Sequence, residues 1–218
     1  VIENLTPPPD ALLLIAPGCV HCPVLLQNLA ELVKTGEIGR LEVVNVAAHP
    51  ELAEHHKVRS VPWLRLGSFE LQGVRSRAEL QDWIARRQSP EGAAAYLQEL
   101  LTQGELDTAR RFLEAEPTAR DGVMLLLSDV DTELNVRIGI AAIFEHLAGE
   151  PVLDELVAPL GRLSVHDNAR LRADACHLLG LTGNKDAIPV LQPRLSDDDT
   201  DVREVAEESL ALLTGDLR

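Results

Sequence analysis

Gly18-Cys19-Val20-His21-Cys22-Pro23 follows an apolar run, Ala11-Leu12-Leu13-Leu14-Ile15-Ala16, and precedes a helical pattern that puts Val24, Leu25, Leu29, Leu32 and Val33 on one side. Two cysteines therefore stand at a strand-to-helix junction. The spacing predicts a helix from about Cys19 to Lys34, stopped before Gly36. A thiol at the start of such a helix meets unpaired backbone N–H groups and the positive end of the helix dipole, both of which stabilise a thiolate. A second thiol one turn further on is placed to resolve a mixed disulfide.

Outward from this junction, Pro7-Pro8-Pro9 makes residues 1–10 a stiff lead-in, since proline is excluded from strand and helix interiors. The uniformly apolar residues 11–16 suit a strand in the middle of a sheet covered on both faces. Leu41-Glu42-Val43-Val44-Asn45-Val46 is a second strand, reached across a helix and so parallel to the first. Pro50 starts a short helix with Glu51 in its first turn and ends it near His55 and His56. The run from Val58 to Leu66, the turn Gly67-Ser68 and the return Phe69–Gln72 read as an antiparallel hairpin. Ser76 and Glu79 form a capping box for a last helix whose buried stripe is Leu80, Trp83 and Ile84.

The order β-α-β-α-β-β-α, with Cys19-Val20-His21-Cys22, Val61-Pro62 a further 40 residues beyond Cys22, and Gly73 before the last helix, resembles the minimal thioredoxin/glutaredoxin fold. Pro23 directly after the second cysteine brings it nearest to the redox-active N-terminal domain of the alkyl hydroperoxide reductase flavoprotein. The resemblance covers roughly residues 11 to 87. It implies that Cys19 attacks, that Cys22 resolves, and that Val61-Pro62 is a cis bond whose backbone docks an extended substrate. Three departures stand out. Gly18 replaces the tryptophan of Trp-Cys-Gly-Pro-Cys, Leu13 replaces the buried aspartate of the preceding strand, and the fold's optional first β-α unit has no room in residues 1–10. The residue after the proline, small in that family, is Trp63, which either crowds the groove or gives the substrate an apolar contact.

His21 lies beside the resolving cysteine, where its partial positive charge favours the Cys19 thiolate; a plain solvent-facing histidine is the alternative. It matches the Cys-Pro-His-Cys of strongly oxidising periplasmic enzymes in the histidine alone, because Val20 replaces the proline. Both directions of electron flow stay open, across couples of roughly −270 to −120 mV. A single Cys-x-x-Cys gives half the ligands of a closed zinc site, and His49, His55 and His56 are not in ligand spacing, so no metal is expected; an inert disulfide is the remaining alternative. Cys176 stands alone in an apolar helix and reads as an inert buried thiol.

Of the net charge of −15, residues 1–89 carry −1 (9 Lys+Arg against 10 Asp+Glu) and residues 90–218 carry −14 (11 against 25). Such an acidic second half argues against nucleic acid or an anionic membrane as a partner. No apolar stretch of transmembrane length and no Lys/Arg-led signal segment is present, so a cytoplasmic location is the default expectation. The first residue is Val1, which keeps a removed leader and a periplasmic location open.

Ser89-Pro90-Glu91-Gly92 is the expected boundary between a domain at 1–89 and an all-helical one at 93–218. In the latter, Leu127-Ser128-Asp129-Val130-Asp131 leads to Val136-Arg137, Leu163-Ser164-Val165-His166-Asp167 to Leu171-Arg172, and Leu195-Ser196-Asp197-Asp198-Asp199 to Val202-Arg203. The leucines are 36 and then 32 residues apart, the period of helical-hairpin solenoids. Alanine-rich helices and the terminating Gly149, Gly183 and Gly215 complete each unit, and the pattern resembles bacterial HEAT-like repeats. Arg137, Arg172 and Arg203 recur at one position and so are expected to bind their own turns, with Asp199 at a helix start.

Two functions follow from these parts. One is a protein thiol-disulfide oxidoreductase whose repeats select a client protein and a protein electron donor or acceptor; no flavin or nicotinamide fingerprint is present, so no cofactor is expected. The other is a non-catalytic scaffold that uses the first domain as a docking surface.

Overall fold

The computed structural model describes residues 7–215, so residues 1–6 of the expected lead-in and the last three residues of the helical domain lie outside the description. The chain divides into two compact units, Val1–Ser89 and Pro90–Arg218. Among the described residues no helix is long and apolar enough to cross a membrane.

The first unit runs β1 (Asp10–Ile15), α1 (Cys22–Lys34), β2 (Arg40–Asn45), α2 (Pro50–His55), β3 (Trp63–Leu66), β4 (Phe69–Gln72) and α3 (Arg77–Arg86). The sheet order is β2-β1-β3-β4, with β2 parallel to β1 and the hairpin strands antiparallel. Register sorts the core. Leu13, Leu64 and Leu71 are in line, as are Ala11, Leu66 and Phe69, so these six side chains share one face. Helices α1 and α3 cover it with Leu25, Leu29, Leu32, Leu80 and Trp83, and the Phe69 and Trp83 rings meet edge to face at 4.9 Å. On the other face Leu12, Leu14 and Trp63 form a second cluster with Val44, Val46, Leu52, Val58 and Val61.

Local differences from the sequence reading have simple causes. Helix α1 begins at Cys22 rather than Cys19, because Gly18 at φ +77° turns the chain and places Cys19 ahead of the first helical turn. Val24 is exposed; the buried stripe is Cys22, Leu25, Leu29 and Leu32, at spacings of three and four residues. Strand β3 begins only at Trp63. The capping box of α3 is present, with Ser76 Oγ accepting from the Glu79 N–H and Glu79 accepting from the Ser76 N–H.

The second unit is helical throughout: α4 (Pro90–Thr102), α5 (Leu106–Ala115), α6 (Pro117–Ser128), α7 (Leu134–His146), α8 (Pro151–Leu163), α9 (Ala169–Leu181), α10 (Ile188–Leu191) and α11 (Thr200–Thr214), with 3-10 turns at Lys185–Ala187 and Gln192–Ser196. Pro90, expected inside an interruption, is the first residue of α4, a position that a missing N–H does not harm. The pairs α4/α5, α6/α7 and α8/α9, and the segment 185–196 with α11, form successive hairpins. In the last of them Pro189 and Pro193 break the first helix; Leu195, read as the counterpart of Leu127 and Leu163, is exposed, and Leu191 takes the buried place. Small residues set the closest approaches. A Cβ on Gly122 of α6 would lie 2.8 Å from the Ala94 nitrogen of α4, and one on Gly180 of α9 would lie 2.7 Å from Ser209 Cβ of α11.

The recurring arginines bind their turns. Arg137 donates to the carbonyls of Leu127, Asp129 and Thr132, Arg172 to those of His166 and Asp167, and Arg203 to those of Asp197 and Asp198. Two of them also reach the following hairpin: Arg137 Nη1 is 2.7 Å from Asp174, and Arg172 Nη2 is 2.6 Å from Asp197 and 2.8 Å from Asp198. Asp199 caps α11 by accepting from the Asp201 and Val202 N–H groups.

The Arg172–Asp197 pair makes the acid stability of this unit testable. The Asp197 side chain is 3% exposed, and the hydrogen bonds from Arg172 hold its carboxyl at about 2, below an ordinary value of 3.8. A depressed folded-state pKa gives stability that is complete above the unfolded value and lost as the pH falls through the folded one. Denaturant unfolding should therefore lose on the order of 1–2 kcal/mol through this group between about pH 4 and pH 2. Arg172→Met should cost about 3 kcal/mol at neutral pH, because it leaves a buried carboxylate short of its main partner, and should flatten that acid limb. An unchanged pH dependence in Arg172→Met would contradict the assignment.

Candidate functional site

Residue 14 of β1 pairs with residue 63 of β3, so the segment after β1 and the segment before β3 emerge at the same end of adjacent strands. The first carries Cys19 and Cys22, and the second carries Val61 and Pro62. Cys19 and Cys22 are joined in a disulfide. The Val61-Pro62 peptide bond is cis, the isomer that the resemblance implies.

Each half of the site is positioned by backbone that the sequence dictates. The Cys19 N–H donates to the Ala16 carbonyl, closing the turn that Gly18 permits. A bulky residue at Gly18 would have to adopt its left-handed φ of +77°, which accounts for the missing tryptophan. Cys22 opens α1 in phase with Leu25 and Leu29, so burying that stripe takes the second sulfur in with it: Cys22 is 5% exposed, while Cys19 is partly exposed. The Cys22 N–H donates to Cys19 Sγ at 3.1 Å, the kind of contact that favours negative charge on that sulfur when the pair is open. His21 is the N-cap residue of α1; its ring is exposed and makes no capping hydrogen bond. Leu13 is fully buried under α1, where the resemblance would have a carboxylate.

On the facing segment the Gly73 N–H donates to the Pro62 carbonyl at 3.0 Å and fixes the end of β4 against it. Asn28 of α1 donates to the Arg75 carbonyl at 3.0 Å, tying the loop before α3 to the cysteine helix. The backbone N–H and carbonyl of Val61 take part in no hydrogen bond among the described residues. An unpaired backbone edge beside a disulfide is what an added extended chain requires. Trp63 departs from expectation. Its indole is 2% exposed, packs with Leu12 and Leu14, and stacks on His56 at 4.9 Å. Trp63 sits opposite Leu14, which points away from α1, so the ring belongs to the second core and offers no side-chain contact to a groove.

The sequence reading missed three exposed valines. Val20 is 78% exposed, and Val24 and Val74 are exposed as well. Val20 lies between the cysteines, Val24 follows them on α1, and Val74 precedes the residue that Asn28 holds. The signal was present in Val24, which falls about a third of a turn off the Cys22-Leu25-Leu29 stripe. Among the described residues no group of three or more His, Cys, Asp or Glu side chains is placed to hold a metal ion. Cys176 is buried in α9, and burial pushes its thiol up to about 11.

Comparison with known families agrees with this architecture. Residues 11–85 match the family described as Thioredoxin domain, and residues 121–211 match HEAT repeats. The chain thus joins a thioredoxin-like domain to a helical region that contains HEAT repeats, modules that in general carry protein–protein interaction. No curated protein matches the chain.

Accessibility sets an order of reactivity for the three thiols. After reduction, limiting iodoacetamide at about pH 8 should modify Cys19 first, Cys22 much more slowly, and Cys176 only after denaturant is added. Peptide mapping of the alkylated protein reads this directly, and preferential modification of Cys22 would contradict the geometry described.

Proposed function

We propose that the chain is a thiol-disulfide oxidoreductase acting on protein disulfides or dithiols, with the helical repeats selecting the protein partner. The observation that carries this reading is the unequal pair: Cys19 partly exposed ahead of α1, its partner buried at the first residue of that helix, and a free backbone edge at Val61. A purely structural bridge has no need of that asymmetry.

In the reducing direction, the Cys19 thiolate attacks one sulfur of a substrate disulfide, forms a mixed disulfide and expels the other substrate sulfur as a thiolate. Cys22, deprotonated, then attacks Cys19 Sγ, releases the second substrate thiolate and closes the Cys19–Cys22 bond. Two electrons pass from the pair to the substrate, and the reverse sequence oxidises a dithiol. Val61 backbone groups receive the extended substrate as an extra strand partner, Pro62 holds that segment in place, and the exposed valines around the sulfurs contact its side chains. The charge of His21, when protonated, favours the Cys19 thiolate and makes Cys19 a better leaving group. Electrons reach or leave the pair through a second protein.

Equilibration of the full chain in glutathione buffers tests this. The Cys19–Cys22 pair should pass between dithiol and disulfide with a midpoint inside the range of roughly −270 to −120 mV. Cys22→Ser should accumulate a mixed disulfide at Cys19, and Cys19→Ser should form none. A pair that keeps one oxidation state at every buffer ratio would leave the scaffold reading in its place.

A further inference from the structure

Helices α7 and α9 pack side by side and leave a cleft between them. One wall is apolar. Leu134 and Ile138, four residues apart and hence on one face of α7, are 64% and 59% exposed. The folding of the hairpin does not call for them there, since α7 buries Val136, Ile140, Ile143 and Phe144 on its other side. Two adjacent large aliphatics in water form a patch, unlike single scattered ones.

The other wall, from α9, carries Arg170 and His177. Across the floor Arg137 is paired with Asp174 at 2.7 Å, so those charges cancel. Arg110, Arg120, Arg172 and Arg194 are likewise each tied to a carboxylate. Arg170 is not: among the described residues its side chain makes no hydrogen bond or ion pair. The arginines and the aspartate that line the cleft therefore sum to +1, within a region whose net charge is −14 (11 Lys+Arg against 25 Asp+Glu). The volume of the cleft, about 190 Å³, is below the roughly 300–1,000 Å³ of a small-molecule pocket and suits one or two side chains of a docked segment. The α7 wall runs from Leu134 to Ala141, about 10 Å or two helical turns, which spans an i and i+4 pair on a docked helix.

We propose that the α7–α9 cleft docks an amphipathic helix of a partner protein, whose apolar residues at i and i+4 cover Leu134 and Ile138 and whose carboxylate pairs with Arg170. Two adjacent helices with a gap between them offer the ridges and groove that a third helix needs. The contacting segment is thus acidic and apolar, the opposite of what the net charge of the region alone would select. Long-range repulsion is screened within about 8 Å at physiological salt, whereas a pair at contact is screened much less. Association should accordingly strengthen, not weaken, as salt rises from low to physiological concentration. The proposal rests on the partner-selecting role of the repeats and not on the thiol chemistry.

The test uses a displayed library of helical peptides of 13 residues, the length of α7, selected on the full chain and counter-selected on a Leu134→Ser/Ile138→Ser variant. The exposed positions of both residues let that variant fold, which circular dichroism checks. Selection should enrich peptides that combine Leu, Ile or Phe at i and i+4 with Asp or Glu. Their affinity should fall at least about tenfold on Ile138→Ser and on Arg170→Glu. On Arg170→Glu, exchanging the peptide carboxylate for lysine should restore it. Enrichment of Lys/Arg-rich peptides overturns the proposal, as does a selection that yields no peptide sensitive to Ile138→Ser. A dimer of the chain that Ile138→Ser dissociates also overturns it, by making a second copy the occupant. Repeating the binding on Cys19→Ser/Cys22→Ser separates the two readings: peptide affinity there should be unchanged, whatever glutathione equilibration says of the sulfurs.

Discussion

The phase of α1 is the constraint on which the candidate site depends. Leu25, Leu29 and Leu32 must face the sheet, each with essentially no exposure, and their rotation about the helix axis fixes the rotation of everything else on that helix. Cys22 falls on the same line and goes inside; His21 and Val24 fall off it and stay out. Cys19 precedes the helix and is released from the phase altogether by the left-handed turn at Gly18. Hydrophobic packing, with no contribution from sulfur chemistry, thus makes two neighbouring thiols unequal. Moving the stripe by one residue in either direction would carry Cys22 off it, and toward the N-terminus it would also bury His21, Asn28 and Glu31, so the core and the sulfur asymmetry cannot be changed independently.

An analogous economy governs the helical unit. Each hairpin turn leaves backbone carbonyls pointing inward at the end of its first helix, and groups of that kind are costly when buried without donors. In the last three hairpins one arginine per turn satisfies them. Arg137 serves Leu127, Asp129 and Thr132, and Arg172 serves His166 and Asp167 while also meeting Asp197 of the next hairpin. A guanidinium has five donors in a fixed fork, so it can close a turn and clamp a neighbour at once, which lysine cannot. The spacing of the Val-Arg signature follows from that double duty. It also explains why the acidic residues around these turns are not free surface charge: Asp174 and Asp197 are consumed by the stacking of hairpins.

Much of this was readable from the chain, and the exceptions share a cause. Element order, the capping box at Ser76 and Glu79, the Cys-x-x-Cys junction and the turn-binding arginines depend on local chemistry or on a repeat, both of which leave a mark at fixed spacing. Trp63 was misplaced because its fate depends on cross-strand parity. Only the pairing of Trp63 with Leu14, rather than with Leu13, sends the indole to the second core. Leu195 misled because two prolines shift the buried position back to Leu191. The hairpin α4/α5 has helical periodicity but lacks the Leu-Ser-Asp signature, so its place in the stack was visible only in three dimensions. The exposure of Val24 was hidden because an apolar residue flanking a buried stripe looks like part of it.

Net charge, read over a whole region, is a poor guide to what that region touches. Residues 90–218 carry 25 acidic side chains against 11 basic ones, and at distances beyond a Debye length an approaching protein meets that excess as a diffuse repulsion or attraction. Contact is decided by the few groups that no neighbour has already claimed. Stacking uses most of the arginines of the repeats internally and, in doing so, neutralises some of the acids beside them. What is left over is specific: an uncommitted Arg170 opposite two uncovered aliphatics on α7. A repeat protein can therefore hold its fold with one set of charges and advertise another, because the interior ladder of arginines repeats from hairpin to hairpin while the residues of the cleft do not. Specificity belongs to the positions at which the repeat is broken.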